Sequence, residues 1–179
     1  MEFDNYSIRK LNSNDVHNYF QLLENNRDRL REVFTDTVLE TTTIEDTKVF
    51  LSKMKERMEG DNYLPHVVIE EKTTKFIGFI DVKHIDWNIP KGELGLYIDK
   101  DYSGKGIMTK ALKLFCEYAF NKYHFAKLFL RTHTKNISMQ KVAEKCGFQK
   151  EGVIRKDYKT TSGEIIDLVY YGKLNSNQD

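Results

Sequence analysis

Little in this chain is suited to stapling, kinking or spanning. Its 179 residues include two cysteines, two prolines and one tryptophan. Cys116 and Cys146 lie far apart, with neither a C-x-x-C pair nor zinc spacing. That excludes a disulfide framework and a cysteine-built metal site, so no metal is expected. Reduced thiols in a cytoplasmic protein are the expectation instead. No apolar run approaches the ~18 residues that a membrane span needs. The opening "MEFDNYSIRK" is charged and lacks the apolar core of a secretory signal, so no leader is expected. Charge of one sign is missing too: 28 Lys and Arg against 27 Asp and Glu leave a formal net charge of +1. That balance gives no electrostatic reason to expect nucleic-acid or membrane-surface binding. The sequence shows no internal repeat and no low-complexity segment.

What is present suits a globular domain. Hydrophobic residues make up 40% of the chain and charged residues 31%. The length fits one domain over residues 1–179, large enough for a core of its own. "YSIRKL" (Tyr6–Leu11) alternates as a strand does. Residues Asn12–Phe34 predict one helix, capped by Ser13 and Asn14, with Val16, Tyr19, Phe20 and Leu23 at helical spacing. A second helix follows from Thr42. Thr42 with Glu45 fits a capping box, and Val49, Phe50, Met54 and Met58 form its apolar stripe. The period then drops to two over Leu64–Glu71, Lys75–Ile85 and Gly92–Asp99. A long amphipathic helix follows over Gly106–Tyr123, then a strand over Ala126–His133. A short helix begins with Asn136 as N-cap and ends at Gly147. Two last strands flank a turn at Thr160–Gly163. This order predicts a mixed α/β (α+β) fold, its mostly antiparallel sheet of about seven strands flanked by about four helices.

The stretch "DYSGKGIMTKAL" joins the third strand of the central block to the long helix. It places two of the chain's 10 glycines on either side of Lys105. The first amides of a helix have no partner within it, and the positive end of the helix dipole adds to their pull on an anion. Glycines let such a turn bend sharply and approach a phosphate closely. The turn could therefore hold a phosphate or pyrophosphate, or be an ordinary strand-to-helix turn. A Walker A loop is excluded because Lys105 sits between the glycines. The dinucleotide fingerprint is excluded because Thr109 stands where a third glycine is needed.

The turn resembles the Q/R-x-x-G-x-G/A motif of the GNAT acetyltransferases. Ser103 stands at the Q/R position, Gly106 at the central glycine and Met108 at the final G/A. The resemblance continues downstream. "NISMQKVAEKCGF" is similar to the family's N-x-x-S-x-x-V-x-E-K-x-G-F segment at Asn136, Val142, Glu144, Lys145, Gly147 and Phe148. The tail resembles the family's through Glu151, Gly152, Gly163, Asp167 and Tyr171. "NRDRLREVF" resembles the helical opening of the Rim-type branch, the ribosomal-protein N-acetyltransferases. The resemblance covers nearly the whole chain and implies the GNAT fold.

It also implies an acetyl-CoA-dependent N-acetyltransferase, in which a primary amine attacks the thioester directly in a ternary complex. Ser103, Gly104, Lys105, Gly106, Ile107, Met108 and Thr109 would hold the CoA pyrophosphate, and Asn136 would contact CoA. Tyr97 and Ile98 would lie along the pantetheine arm and lend an amide to the thioester oxygen. The amine must be neutral to attack, so a general base is needed. Glu93 occupies the strand where several relatives carry theirs; the plain alternative is an idle strand carboxylate. Asp157 lies near an acidic position of the Rim-type acceptor pocket, or is a strand-end carboxylate. The acid is the largest departure: Ala143 and Met139 stand where relatives carry a tyrosine or a serine, which leaves the neighbouring Ser138 as candidate. Trp87 and Tyr63 would line an acceptor cleft or pack in the core, and His133 reads as a surface strand-end residue. The acceptor would be a protein N-terminus or a small-molecule amine. Dimers are common in the family, which leaves a homodimer open. Two other readings stand beside this one: a non-catalytic acyl-CoA-binding or sensing domain, and an unrelated nucleotide-phosphate binder.

Overall fold

The computed structural model describes residues 1–176. The chain opens with two short strands, β1 (Glu2–Phe3) and β2 (Tyr6–Lys10). The single helix expected over residues 12–34 is instead α1 (Val16–Glu24) and α2 (Arg27–Leu30), followed by α3 (Thr35–Leu39). Asn26 accounts for the break. Its side-chain amide donates to Leu22 O at 2.8 Å, and its Oδ1 accepts Lys100 N–H at 2.9 Å. A side chain that bonds backbone in this way competes with helix continuation. The cap is Asp15 rather than Ser13 or Asn14. Asp15 accepts Asn12 N–H at 2.9 Å and pairs with Arg9 at 2.7 Å.

Helix α4 (Ile44–Met58) carries a capping box one residue later than expected. Thr43 accepts Asp46 N–H at 3.0 Å, and Asp46 accepts Thr43 N–H at 3.1 Å. Of the expected stripe, Met54 is buried and Phe50 and Met58 pack against the same core, joined by Thr47 and Leu51, while Val49 is 55% exposed. Thr43→Ala is expected to lower unfolding free energy by about 1 kcal/mol in urea titration, since an N-cap hydroxyl is lost. An unchanged midpoint would refute the assignment.

The remaining elements are β3 (His66–Glu70), β4 (Lys75–Asp86), β5 (Lys91–Ile98), α5 (Ile107–Tyr123), β6 (Lys127–His133), α6 (Ile137–Lys145), β7 (Gln149–Lys159) and β8 (Ile165–Leu174). Eight strands form one sheet in the order β1-β2-β3-β4-β5-β6-β8-β7. The extra strand is the short β1, and the broken first helix raises the described α-helices to six. Every pairing is antiparallel except β5 with β6. One face carries a core in which α5 and α6 contribute Leu112, Phe115 and Ala143 beside Ile80 and Leu128. The other carries Tyr19, Leu23 and Leu51 of α1 and α4 against Phe79 and Tyr97. The site sits where the two halves of this sheet part.

Candidate active site

Strands β5 and β6 pair at three positions only: Lys91 with Lys127, Gly92 with Leu128, and Glu93 with Phe129. Past Glu93 they diverge. Strand β6 continues against β8, and β5 continues against β4. The ladder fixes which amides face the opening. Asp99 N–H bonds Ile77 O at 2.7 Å and Gly95 N–H bonds the Asp81 carboxylate at 2.9 Å, both toward the β4 side. Backbone groups alternate along a strand, so the N–H groups of Leu96 and Ile98 point into the opening. Ile98 is the residue of the expected pair that faces this opening. Tyr97 does not share that role: on the same alternation its N–H faces β4, and its side chain packs on Phe34 at 5.0 Å and Phe79 at 5.4 Å.

The opening leads to the glycine turn. A short 3-10 turn (Lys100–Tyr102) follows Asp99, whose side chain accepts Asp101 N–H at 3.0 Å. Gly104 and Gly106 both have φ of +76°, in the region that favours glycine. A side chain at either would meet nothing within 4 Å, so the turn's outer side is open. Gly106 is the N-cap of α5, and the first amides of that helix lie beyond it. Ser103, Gly104, Gly106, Ile107, Met108 and Thr109 line a groove together with Ile98, Asn136 and Ser138. Lys105 is not on that wall; its ammonium lies 5.2 Å above the Tyr102 ring. Asn136 caps α6 by accepting Met139 N–H at 3.2 Å. Arg29, Lys141 and Lys145 also line the groove and add positive charge suited to phosphates. Sequence reasoning missed them because lysines and arginines spaced along surface helices look like solvated faces.

A second cavity neighbours the groove, and both are lined by Val33, Phe34, Leu96, Asn136 and Met139. Glu93, Lys83, Arg131, His133 and Tyr158 line it. His133 thus belongs to the cavity rather than to an idle strand end. Glu93 is 5% exposed and accepts Arg131 Nε–H at 2.9 Å and His84 Nδ1 at 2.8 Å, with Lys83 Nζ at 4.0 Å. Burial would raise its carboxyl, but the bonds from Arg131 and His84 outweigh burial and hold it below the ordinary glutamate value. Asp157 stands behind Arg131. It accepts Tyr170 OH at 2.7 Å and Arg131 Nη1 at 3.3 Å. The arginine therefore joins the two expected carboxylates. Ser138 lines the groove beside the glycine turn and not the second cavity. Trp87 stacks on Phe125 at 5.1 Å, and buried Tyr63 donates to Asp81 at 2.7 Å; neither is among the second cavity's lining residues.

Asp81 underlies this wall. Burial pushes its carboxyl above the ordinary aspartate value, against Lys83, the Tyr63 hydroxyl and the Gly95 N–H. A raised folded-state pKa means stability that is full below the unfolded value of ~3.9 and falls as pH rises through the folded value. Asp81→Asn cannot ionise and is expected to lose that decline. Urea titrations from about pH 4 to about pH 8 check this, and parallel curves for the two proteins would refute it.

An open glycine turn at the start of α5, a strand edge left unpaired past Glu93 and a buried carboxylate in the neighbouring cavity are the parts that an acyl-CoA-dependent transferase needs. The family described as acetyltransferase (GNAT) domain matches residues 6–149. The chain belongs to the GNAT acetyltransferases, enzymes that move an acetyl group to an amine. It is 28% identical over 153 residues to the probable N-acetyltransferase YjcK of Bacillus subtilis, covering 85% of this chain and 84% of that protein. The fold matches the ribosomal-protein-S5-alanine acetyltransferase of Vibrio fischeri with a TM-score of 0.90 at 24% identity, over 100% and 98% of the two chains. It also matches the Vibrio cholerae spermidine N-acetyltransferase in complex with CoA and spermine, with a TM-score of 0.81 at 20% identity over 96% of each chain.

Proposed function

We propose that this enzyme transfers the acetyl group of acetyl-CoA to a primary amine carrying a single positive charge, such as a protein N-terminal α-amine. The observation that carries this reading is the carboxylate of the second cavity. Glu93 is the acidic residue lining it, and Lys83, Arg131 and His84 already surround it. A polyamine needs several free carboxylates along its length, and this wall supplies none unpaired. A lone ammonium needs one acceptor and a way to lose a proton. The similarity to a ribosomal-protein acetyltransferase supports the reading, although a polyamine enzyme shares the fold.

In this reading the pyrophosphate sits on the amides after Gly104 and Gly106, and the pantetheine arm follows β5. The N–H of Ile98 or Leu96 stabilises the oxyanion that develops on the thioester carbonyl. Glu93 is the base, and Asp157 orients it through Arg131. Ser138 is the candidate donor to the departing thiolate. A cytoplasmic setting belongs to the same reading, supported by the two unpaired buried thiols, Cys116 and Cys146. The test is CoA thiol release from acetyl-CoA with three acceptors. These are a peptide with a free N-terminal alanine, the same peptide blocked at its N-terminus but carrying a lysine, and spermidine. The free α-amine is expected to turn over fastest. Preference for spermidine would overturn the acceptor class, and turnover on none would overturn catalysis in favour of acyl-CoA sensing.

A further inference from the structure

We propose that the acceptor carries a carboxylate a few bonds from its reactive amine, and that Lys83 binds it. The inference deepens the α-amine reading and rests on it. Lys83, Arg131 and His133 line the second cavity beside one acidic residue, Glu93. Arg131 is already engaged: it donates to Glu93, Asp157 and the Tyr170 hydroxyl. Lys83 is not. Its Nζ comes no nearer to Glu93 Oε1 than 4.0 Å, which is beyond a hydrogen bond, and it makes none with the described residues.

The carboxylates around it are satisfied by other groups. Glu93 Oε1 accepts Arg131 Nε–H at 2.9 Å, and Oε2 meets His84 Nδ1 at 2.8 Å. Asp81 Oδ1 accepts Gly95 N–H at 2.9 Å, and Oδ2 accepts the Tyr63 hydroxyl at 2.7 Å. The Lys83 ammonium therefore keeps its donors for a ligand. Strand β4 sets its place. Lys83 stands opposite Glu93 in the ladder, so the two side chains share a face. Beyond Lys83 the register slips before Asp86, a β-bulge in which His84 adopts φ of +49° and reaches Glu93. Lys83 Nζ lies 5.9 Å from the centre of the Phe34 ring, and its side chain is 29% exposed. Phe34 lines the same cavity, so the lysine is folded along the wall instead of reaching into water.

A cation with unused donors recognises an anion through charge-assisted hydrogen bonds, which are stronger than neutral ones. Glu93 and Lys83 stand side by side, so a ligand that meets both presents an amine and an anion close together. An α-amine whose own residue bears a carboxylate, as at an N-terminal aspartate, has that spacing. A second ammonium on the acceptor would meet Lys83 as a like charge, which costs affinity. The same wall that offers a polyamine no free carboxylate thus offers an acidic N-terminus a free cation.

The test uses the full chain, acetyl-CoA and three peptides with one common tail that begin with aspartate, asparagine or lysine. In the wild type kcat/KM is expected to be about tenfold or more higher for aspartate than for asparagine, mostly through KM, and lowest for lysine. Lys83→Gln should bring the aspartate and asparagine peptides within about twofold of each other, whereas Lys83→Arg should keep the preference. Lys83→Glu should favour the lysine peptide. Equal kcat/KM for aspartate and asparagine in the wild type would overturn the inference and leave the α-amine reading standing. So would an aspartate preference untouched in folded Lys83→Gln, because Lys83 would then only balance Glu93 and Asp81. Preference for spermidine over all three peptides would overturn the acceptor class, and this inference with it. Calorimetric titration of the CoA-bound protein with the same peptides reads the contact without turnover. The aspartate peptide should bind about tenfold tighter than the asparagine peptide, and Lys83→Gln should remove the difference. Equal wild-type affinities would overturn the inference even where no acceptor turns over.

Discussion

Gly106→Trp is expected to weaken acetyl-CoA binding by about 100-fold or more, close to ~2.8 kcal/mol, while the domain stays folded. Both halves of that expectation come from the turn. Gly106 has φ of +76° and caps α5, so a bulky residue strains the helix start and stands on the proposed pyrophosphate site. A Cβ added there meets nothing within 4 Å, so the new side chain starts in open space rather than in the core. Calorimetric titration with acetyl-CoA reads the loss, and a thermal melt confirms folding. Unchanged affinity in a folded variant would remove the turn from the cofactor site.

Glu93→Gln should act on the other axis. Turnover is expected to fall about 100-fold or more, the scale of a lost general base, with acetyl-CoA affinity nearly unchanged. Glutamine keeps the size and can still accept the Arg131 bond, so the cavity wall survives. Because the Glu93 carboxyl is held below the ordinary glutamate value, it remains ionised through the neutral and mildly acidic range. Its stabilising contribution is present above the unfolded value of ~4.3 and is lost as pH falls through the lower folded value. A fall in wild-type turnover from pH 8 to pH 6 therefore reports the acceptor or a group behind the carboxylate. Equal losses of turnover and of acetyl-CoA binding would make Glu93 a structural residue.

Legibility in the sequence followed the physics of each element. Strand β6 and helix α5 stood out because one buried face imposes a period on them, and β3, β4 and β5, buried on both faces, stood out as short apolar runs bounded by turns. The first helix misled because Val16, Tyr19 and Leu23 keep helical spacing up to Asn26, whose bond to Leu22 O is local but whose bond from Lys100 N–H spans 74 residues. The capping box slipped by one residue because Thr42, Thr43, Glu45 and Asp46 offer two overlapping solutions. The glycine turn was readable because backbone chemistry needs particular residues. Arg131 and His84 were not, since one is an ordinary strand residue and the other owes its place to a bulge. Tyr97 illustrates the divide: the resemblance implies a backbone role toward the opening, whereas its place in the ladder turns its N–H toward β4 and its side chain serves the opposite core.

The splay after Glu93 bears on how the chain tolerates mutation. The cleft there presents main-chain N–H groups of Leu96, Ile98 and the start of α5. A surface made of backbone changes little when side chains drift, so the departures at Ser103 and Met108 from the motif that the turn resembles are compatible with the proposed role. Proline is the substitution that deletes such a donor outright. Cofactor recognition should therefore survive wide sequence divergence. The acceptor wall, made of the side chains of Lys83, Glu93 and Arg131, can be rewritten one residue at a time.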